Sequence, residues 1–281
     1  MSRSPLSRPR TLVVAIVAGA LAALATPAPA AADPGPPPSS MASLGDSITR
    51  GFNACGWFVD CTSRSFSTGS TTSVNSHYLR IRAVNPAING RNFNDARSGA
   101  KAADMAGQAQ TAVTQGVGYV TMLIGANDAC TSSESSMTTV TTFRSQIDAA
   151  LSQLRTGLAN ARVFVMSIPD IRRLWEVGRT SSSARTAWSL FGICRSMLAN
   201  PTSTAQADVD RRARVRQRVV DFNAQLAQAC AAYGSNCAFD NNAVFSYPFV
   251  LSQVSTWDYF HPNTSGQTAL ATVSYAAGFN W

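Results

Sequence analysis

The sequence predicts an α/β protein with a mostly parallel central sheet that is covered by helices on both faces. Short β-prone runs alternate along the chain with longer segments of helical periodicity, which is the pattern of a parallel sheet. One run, residues 118–124, is nearly continuous in apolar and β-prone residues, as expected of a strand buried on both faces. The chain of 281 residues is long enough for one sizeable core.

The N-terminal residues 1–32 have the composition of a secretory signal peptide. Basic residues come before an apolar run at residues 12–24, and small residues follow at residues 28–32. This order predicts cleavage after Ala30 or Ala32. An uncleaved membrane anchor is the alternative, but the apolar run is shorter than the ~20 residues that a spanning helix needs. We therefore predict a secreted, extracellular protein.

Beyond the signal peptide, we predict a proline-rich leader at residues 33–40 and a single domain at residues 41–281. The formal net charge is +8, and Lys101 is the only lysine. The most basic segment, residues 210–218, opens an amphipathic pattern without interleaved aromatic residues, which is typical of a solvated helix face. We therefore predict no nucleic-acid partner, while some transient attraction to anionic lipid surfaces stays open.

Five runs are predicted as strands, and the first of them ends directly before a glycine-aspartate-serine turn. A short apolar run bounded by turn residues is the signal for a strand of a buried sheet. The predicted strands are residues 41–45, 91–96, 118–124, 161–168 and 237–239.

Helical periodicity separates these strands. In residues 138–160 the apolar side chains recur at steps of three and four, which places them on one helix face. The sequence from Thr264 to Gln267 is a capping-box pattern and predicts the start of the last helix. Residues 51–76 are rich in Gly, Ser, Thr and Cys and predict a loop. The predicted helices are residues 76–84, 101–115, 138–160, 205–233 and 264–277.

Six cysteines in an exported chain favour disulfides over metal sites. Neighbours in sequence would close two short loops, which leaves the two remaining cysteines for a third bridge. The chain has two histidines, far apart, and no CxxC pair, so we predict no metal site. The predicted pairs are Cys55–Cys61, Cys230–Cys237 and Cys130–Cys194.

Three positions suited to catalysis, Ser47, Gly99 and Asn127, each come after a predicted strand. Sites of open α/β sheets form where the carboxyl ends of the strands meet, so this topology brings the three together. A fourth element, Asp258-x-x-His261, comes just before a proline, which disfavours helical geometry at the histidine. We therefore place His261 on a loop, with Asp258 near enough to orient its ring.

These residue types supply the parts of a nucleophilic serine site. A serine hydroxyl attacks well only when a base takes its proton; His261 would do so, and Asp258 would hold its tautomer and favour the imidazolium. The backbone N–H groups of Ser47 and Gly99 and the side-chain amide of Asn127 would bind the oxyanion. The missing side chain of Gly99 would let an acyl group approach the backbone.

Each element also has an ordinary structural explanation. Ser47 could cap a helix, and Asn127 with Asp128 could form a turn after a strand. His77, the other histidine, is interpreted as a packed or surface residue of a helix. Four elements in chain order, each at the position that the topology requires, indicate a serine hydrolase more strongly than any of them alone.

Four blocks of the chain resemble those of the SGNH hydrolases, also called GDSL esterases/lipases, including secreted actinomycete members. The resemblance implies a three-layer α/β/α sandwich of the flavodoxin-like type and no metal or other cofactor. It implies a triad of Ser47, His261 and Asp258 and an oxyanion hole from Ser47, Gly99 and Asn127. The blocks are residues 45–48, Gly99, residues 125–128 and residues 258–261.

Two details of the resemblance affect the site residues. Ile48 stands where the family name has leucine, which is a conservative change at a packing position. Some related enzymes use a backbone carbonyl in place of the acid, so Asp258 or a carbonyl could orient His261. Asp46 is interpreted as a structural residue of the turn.

Residues 125–130 and 168–175 resemble secreted lipases and phospholipases of this family more than its carbohydrate esterases. The implied function is hydrolysis of a small-molecule or lipid carboxylic ester through an acyl-enzyme on Ser47. Separately, we expect a monomer. A carbohydrate O-acetyl esterase and a non-catalytic secreted binding module are the alternatives. Apolar side chains in the connection at residues 174–201 either line an acyl groove or pack on the sheet. They are Trp175, Trp188, Leu190, Phe191, Ile193, Met197 and Leu198.

Overall fold

The computed structural model describes Met1, residues 35–279 and Trp281. The predicted signal peptide lies outside the described residues from its second residue onward. Within the described part, helices surround a five-stranded sheet in which every neighbouring pair of strands is parallel. The predicted α/β class is confirmed.

The sheet has the strand order β2-β1-β3-β4-β5. The two central strands β1 and β3 are buried along their whole length, in agreement with their apolar sequences. Because β1 and β3 are neighbours, the turns that follow them open at the same edge of the sheet. The strands are β1 Met41–Gly45, β2 Asn92–Asn94, β3 Tyr119–Leu123, β4 Arg162–Val165 and β5 Cys237–Phe239.

Ten α-helices are present in the described chain, and five of them correspond to the predicted ones. They are α1 His77–Val84, α2 Met105–Gln115, α3 Ala126–Ala129, α4 Val140–Gly157, α5 Ile171–Gly178, α6 Ser182–Leu190, α7 Arg195–Leu198, α8 Gln206–Tyr233, α9 Ala243–Ser246 and α10 Thr264–Ala276. Short 3-10 turns at Thr62–Arg64, Pro86–Ile88, Ala102–Asp104, Glu134–Ser136 and Leu251–Gln253 connect them.

Helices cover both faces of the sheet. On one face α2, α4 and α8 pack side by side, and the rings of Phe143 and Phe222 stack at 4.1 Å between α4 and α8. On the other face α1 meets α10, because His77 of α1 bonds to Ser274 of α10 and to Tyr119 of β3. These layers correspond to the predicted α/β/α sandwich.

The start of α10 differs from the predicted capping box. Asn263, one residue before Thr264, caps the helix by accepting from the Gly266 N–H at 3.0 Å. The glutamine of the pattern, Gln267, turns into the core instead. It accepts from the Phe66 N–H at 2.9 Å and donates to the Ile48 carbonyl at 2.8 Å. The side chain therefore joins two loops near the strand ends rather than closing the helix terminus.

The connection after β4 contains three helices, α5, α6 and α7, where the sequence predicted only a connection. Side chains at the helix starts explain two of them. Asp170 caps α5 by accepting from the Arg172 N–H, and Ser181 caps α6 by accepting from the Ala184 N–H. No helix of the described chain has both the length and the apolar composition to cross a membrane.

The basic segment at residues 210–218 is solvated on one side, where Ala213, Arg214 and Gln217 are exposed as predicted, while its other side contacts the fold. Arg212 is buried, lies over the ring of Trp175 at 4.5 Å and donates to the Ser203 carbonyl. Arg214 pairs with Glu134 at 2.5 Å. These arginines serve contacts within the fold because α8 packs against α7 and the turn before α4.

The cysteines form the three predicted disulfide pairs. The first pair closes a loop, the second ties α3 to the start of α7, and the third ties the end of α8 to β5. The pairs are Cys55–Cys61, Cys130–Cys194 and Cys230–Cys237.

Candidate active site

The turn after β1 sets the position of Ser47. Gly45 has a φ of 153°, and a Cβ there would lie 2.4 Å from the Leu123 carbonyl oxygen, so only glycine fits this close approach. Asp46 then accepts from the Ile48 N–H at 2.9 Å and closes the turn. Ser47 is 7% exposed and faces a pocket at the carboxyl edge of the sheet.

A side-chain amide holds this turn from the helix layer. Gln108 of α2 accepts from the Gly45 N–H at 2.7 Å and donates to the Gly45 carbonyl at 2.9 Å. Both backbone groups of Gly45 are thereby satisfied in a buried place, as buried polar groups require. The sequence analysis missed Gln108. Its signal is a polar residue on the buried face of α2, beside Met105 and Ala109.

The structure brings Ser47, His261 and Asp258 into one hydrogen-bonded line. His261 Nε2 lies 2.8 Å from Ser47 Oγ, and His261 Nδ1 lies 2.5 Å from Asp258 Oδ2. Phe52 and Phe260 contact the imidazole edge-on, with ring centroids 4.9 and 5.0 Å away. The histidine ring is therefore fixed at both nitrogens and on two sides.

Asp258 is buried and accepts four hydrogen bonds. The N–H groups of Phe260 and His261 donate to Oδ1 at 2.9 and 3.1 Å, and Asn53 Nδ2 donates to Oδ2 at 2.7 Å beside the contact with His261. Burial raises the pKa of Asp258, but its hydrogen bonds and the charge of His261 lower it by more, so the pKa lies below its ordinary value. A carboxylate, not a backbone carbonyl, occupies the position at Nδ1.

Gly99 and Asn127 line the same pocket as Ser47 and His261. Asn127 is in the first turn of α3, and its Nδ2 donates to the Ala100 carbonyl at 2.9 Å. An amide nitrogen carries two hydrogens, so one remains for another acceptor. Gly99 has a φ of 82° and open space where a Cβ would be, so its backbone is accessible from the pocket.

The second carboxylate near the serine, Asp46, has a different environment. It is 1% exposed, and its Oδ2 has no partner among the described residues. Burial raises the pKa of Asp46 to about 6, against the lowering effects of the Ile48 N–H and of His261. Asp46 makes no hydrogen bond with the imidazole, and its contacts are those of a turn residue.

The pocket around Ser47 has a volume of about 290 Å³ and aromatic walls formed by Phe52, Phe58 and Phe191. A second, almost entirely apolar cavity of about 70 Å³ lies beside it and shares Phe260 with it. Among the described residues, no group of three or more His, Cys, Asp or Glu could hold a metal ion.

The model of the GDSL-like lipase/acylhydrolase family matches residues 41–273, which is most of the chain. The chain belongs to this family. No curated protein matches it in a sequence search. The glycine, serine, asparagine and histidine positions of this GDSL-like hydrolase are those that line the pocket around Ser47.

Solved structures share the fold of the hydrolase at low identity. A GDSL-like lipase from Parabacteroides merdae is 17% identical with a TM-score of 0.53, and the match covers 85% of this chain and 94% of that one. A catalytic mutant of an acetylxylan esterase from Geobacillus stearothermophilus is 15% identical with a TM-score of 0.53, with the same coverage of 85% and 94%. At these identities the likeness shows the fold alone.

Besides Gln108, two more supporting residues of the hydrolase were missed by the sequence analysis. Asn53, in the loop at residues 51–76, is 2% exposed and holds Asp258 while its Oδ1 accepts from the Phe58 N–H at 2.6 Å. Asp128 accepts from the Ala102 N–H at 3.0 Å and from Thr138 Oγ1 at 2.7 Å, so it ties the loop of Gly99 to α3. Asp128 belongs to one of the four blocks but was considered only as a turn residue, whereas nothing around Asn53 in the sequence distinguishes it.

The apolar connection at residues 174–201 divides between the two predicted roles. Phe191 and Ile193 line the pocket around Ser47. Trp188 is buried and donates from Nε1 to the Tyr259 carbonyl at 2.8 Å, and Met197 and Leu198 are also buried in the core. The connection therefore contributes a wall to the pocket and also packs within the domain.

Proposed function

We propose that this chain is a carboxylic ester hydrolase that acts through an acyl-enzyme on Ser47. The observation that carries the proposal is the line from Asp258 through His261 to Ser47, which opens into a pocket that also contains Gly99 and Asn127. Nucleophile, base and orienting acid within hydrogen-bond reach are the geometry of nucleophilic catalysis.

In the first half-reaction, Ser47 Oγ attacks the carbonyl carbon of the ester while its proton passes to His261 Nε2. The tetrahedral intermediate then collapses, the bond to the alcohol oxygen breaks, and His261 returns the proton to the leaving alcohol. Throughout, Asp258 accepts a hydrogen bond from His261 Nδ1–H, and its negative charge stabilises the positive imidazolium. The acyl group remains bound to Ser47.

In the second half-reaction, water replaces the alcohol. His261 takes a proton from the water as its oxygen attacks the acyl carbon, and Ser47 leaves with that proton to give the free acid. The backbone N–H groups of Ser47 and Gly99 and the amide of Asn127 are proposed to bind the oxyanion in both halves. Loss of one such donor typically costs ~3–4 kcal/mol in the transition state.

We propose an ester with an apolar acyl chain as the substrate. Support comes from the aromatic walls of the pocket and from the adjoining apolar cavity, which is lined by Leu174, Val177 and Phe249 and separated from the reacting centre by Phe260. An apolar chain gains free energy from leaving water for such a lining. Three disulfides support secretion as part of the proposal, because they persist in oxidising compartments.

Labelling with a fluorophosphonate probe tests the nucleophile. The wild-type chain should be labelled, the Ser47→Ala variant should not, and the Ser274→Ala variant serves as a control because that serine is buried on another face of the sheet. Labelling that persists without Ser47 would refute the proposed mechanism.

A series of p-nitrophenyl esters tests the substrate class. We expect kcat/KM to rise from the acetyl to the medium-chain esters. A collapse of activity beyond acetyl, together with release of acetate from acetylated xylan, would favour the carbohydrate O-acetyl esterase instead. Absence of turnover with every ester would favour a non-catalytic binding module.

A further inference from the structure

Large apolar side chains are exposed around the mouth of the pocket. In residues 35–279 nine large hydrophobic side chains are exposed. Six of them lie in three segments that ring contacts join, and we call these six the aromatic rim. Trp57 is 60% exposed, Leu190 73% and Trp257 50%. An exposed apolar surface of this kind marks an interaction site. The aromatic rim consists of Trp57, Phe58, Val59, Leu190, Phe191 and Trp257.

Ring contacts make the aromatic rim continuous. Trp57 meets Phe58 at 5.4 Å and Trp257 at 6.2 Å, and Phe58 meets Phe191 at 5.4 Å. Three separate segments of the chain therefore meet at one surface. Their convergence argues against a chance exposure of single side chains, which is common on any protein.

The aromatic rim is also continuous with the candidate active site. Phe58 contacts Phe52 at 6.0 Å, and Phe52 contacts the ring of His261 at 4.9 Å. Phe58 and Phe191 belong to both surfaces, since they line the pocket around Ser47. A molecule held at the rim is therefore held at the entrance to the reacting centre.

The fold holds these apolar side chains outward. The Cys55–Cys61 disulfide closes the loop of Trp57 and Phe58, and the Cys130–Cys194 disulfide fixes the chain just after Phe191. Phe58 has a φ of 49°, a left-handed conformation that bulky residues rarely adopt. The Asn53 side chain, which accepts from the Phe58 N–H, supports that conformation.

The surroundings of the aromatic rim are basic on one side. Between Glu176 and Asp208 the chain has three arginines and no acidic residue. Two of them, Arg185 and Arg195, line one surface recess together with Ser189 and Ile193, which lie on either side of Leu190 and Phe191 in the chain. Across the rim, the acidic residue of the disulfide loop, Asp60, is paired with Arg50 at 2.9 Å.

We propose that the aromatic rim docks this chain on a phospholipid membrane of negative surface charge, from which the pocket takes its ester substrate. The inference rests on the proposed function. Tryptophan is favoured at the boundary between headgroups and acyl chains, and leucine and phenylalanine add buried apolar area. Arginines at the edge of the surface gain from anionic headgroups.

The geometry of the aromatic rim favours a lipid over a sugar. The ring of Trp57 is inclined by 78° to that of Phe58 and by 36° to that of Trp257, and Phe58 by 73° to Phe191. Rings inclined to one another in this way form no flat platform on which several sugar rings could stack. Val59 and Leu190 have no aromatic face at all, but each adds area that a membrane can cover.

Binding is measured first without catalysis, in the Ser47→Ala background. Vesicles of phosphatidylcholine with phosphatidylglycerol are compared with pure phosphatidylcholine, by sedimentation and by the blue shift of tryptophan emission. We expect binding to the anionic vesicles that weakens with salt. The double variant Trp57→Ser/Leu190→Ser should bind about tenfold more weakly or worse.

The matched control is Val84→Ser/Val209→Ser, which removes two exposed apolar side chains outside the rim and should leave binding unchanged. With Ser47 restored, the Trp57→Ser/Leu190→Ser variant should lose activity on an ester lipid in vesicles but keep its rate on soluble p-nitrophenyl butyrate. Neither residue lines the pocket around Ser47.

Several results would overturn the docking surface. One is a wild-type chain that binds neither kind of vesicle, and another is equal binding by the rim variant and the control variant. A third is binding to acetylated xylan in place of vesicles. The last is a wild-type dimer in sedimentation that is lost in the rim variant but kept in the control variant. Failure of the proposed function is visible separately, as fluorophosphonate labelling that does not depend on Ser47.

Discussion

The two histidines of the chain make the same contact with a serine at two places. His77 Nε2 lies 2.7 Å from Ser274 Oγ, and His261 Nε2 lies 2.8 Å from Ser47 Oγ. The direction of the hydrogen bond differs. Ser274 donates its hydrogen to the Leu270 carbonyl at 2.6 Å, so it accepts from Nε2. Its proton is directed away from the histidine.

The groups at the other ring nitrogen separate the two histidines further. Tyr119 Oη lies 3.1 Å from His77 Nδ1, and burial raises the pKa of Tyr119, so this partner is neutral. Burial and the nearby Arg80 lower the pKa of His77 to about 3. At His261 the partner is the Asp258 carboxylate, whose pKa is lowered, so a negative charge faces the ring.

Access to substrate completes the contrast. His77 is 1% exposed and lies between helices and the sheet, whereas His261 lines the pocket of about 290 Å³. A serine next to a histidine is therefore not sufficient for a nucleophile. The pair also needs a carboxylate at the second nitrogen, a serine proton directed at the ring, and space for an acyl group. Single substitutions separate these requirements, and we expect them to reduce turnover to different extents.

The largest effect is expected when each histidine is replaced in turn. His261→Gln removes the proposed base, so kcat should fall by at least about 10³-fold while the melting temperature changes little. His77→Gln should leave kcat unchanged, because that side chain is remote from the pocket. Ester turnover and thermal melting of both variants check this. Equal losses of kcat would contradict the assignment of His261.

The next effect concerns the partner at Nδ1. Asp258→Asn removes the negative charge and presents a donor or a neutral acceptor to His261, so we expect kcat to fall by about 10²–10⁴-fold. Tyr119→Phe removes the corresponding partner of His77 and is the matched control, with no expected change in kcat. A loss below tenfold in Asp258→Asn would mean that another group orients His261.

The fold could be predicted from the sequence where hydrophobic periodicity was strong. The first and last strands have the predicted bounds, and α4 and α8 fall within the predicted helices. The short helices α5, α6 and α7 were missed because none of them has a long apolar face; side-chain caps mark the starts of α5 and α6, and α7 is a single turn without one. Hydrophobic periodicity therefore predicted the sheet and the long helices that cover it, but not the short helices that connect them.

The residues of the candidate site could be predicted where they directly follow a strand or belong to one of the four blocks that resemble the SGNH hydrolases. Ser47, Gly99 and Asn127 meet because β1, β2 and β3 are neighbours in the sheet. Gln108 had a signal, a polar residue on the buried face of α2, but its partner Gly45 lies 63 positions away and could not be read from the sequence. Asn53 had none, since its contact with Asp258, 205 positions away, depends on loop geometry that carries no periodic signal.

A smaller effect on turnover is expected at Asn53, which we interpret as a positioning residue. Asn53→Ala removes one donor to the Asp258 carboxylate, so kcat should fall by about tenfold and the pKa of Asp258 should rise. Activity would then be lost at a higher pH on the acid side of the profile. Asn85→Ala is the control, since that amide donates to the carbonyls of Pro37 and Pro38 and accepts from the Ala87 N–H, all remote from the pocket around Ser47. A lowered melting temperature with an unchanged pH profile would indicate a purely structural role.

The smallest effect on turnover, and a distinct one on stability, is expected from titration of His77. Its pKa is 6.5 in the unfolded chain and about 3 in the folded one, so the unfolded chain binds the extra proton and stability falls as the pH falls from 6.5 towards 3. Asp46, with its pKa raised to about 6, acts in the opposite direction between pH 3.8 and 6. Its contribution is lost as the pH rises through that range.

Urea unfolding at pH 7 and pH 4 separates the two groups. His77→Gln should reduce the loss of unfolding free energy between these values by roughly 2–4 kcal/mol, because a neutral side chain no longer distinguishes the two states. Asp46→Asn should steepen the same loss, because it removes the group that offsets it. The His77→Gln change should leave the direction of the Asp46 effect on stability as it is, and the Asp46→Asn change should leave the direction of the His77 effect as it is. A His77→Gln variant as acid-sensitive as the wild-type chain would show that the buried histidine is protonated in the folded state, which would remove the contrast between the two histidines.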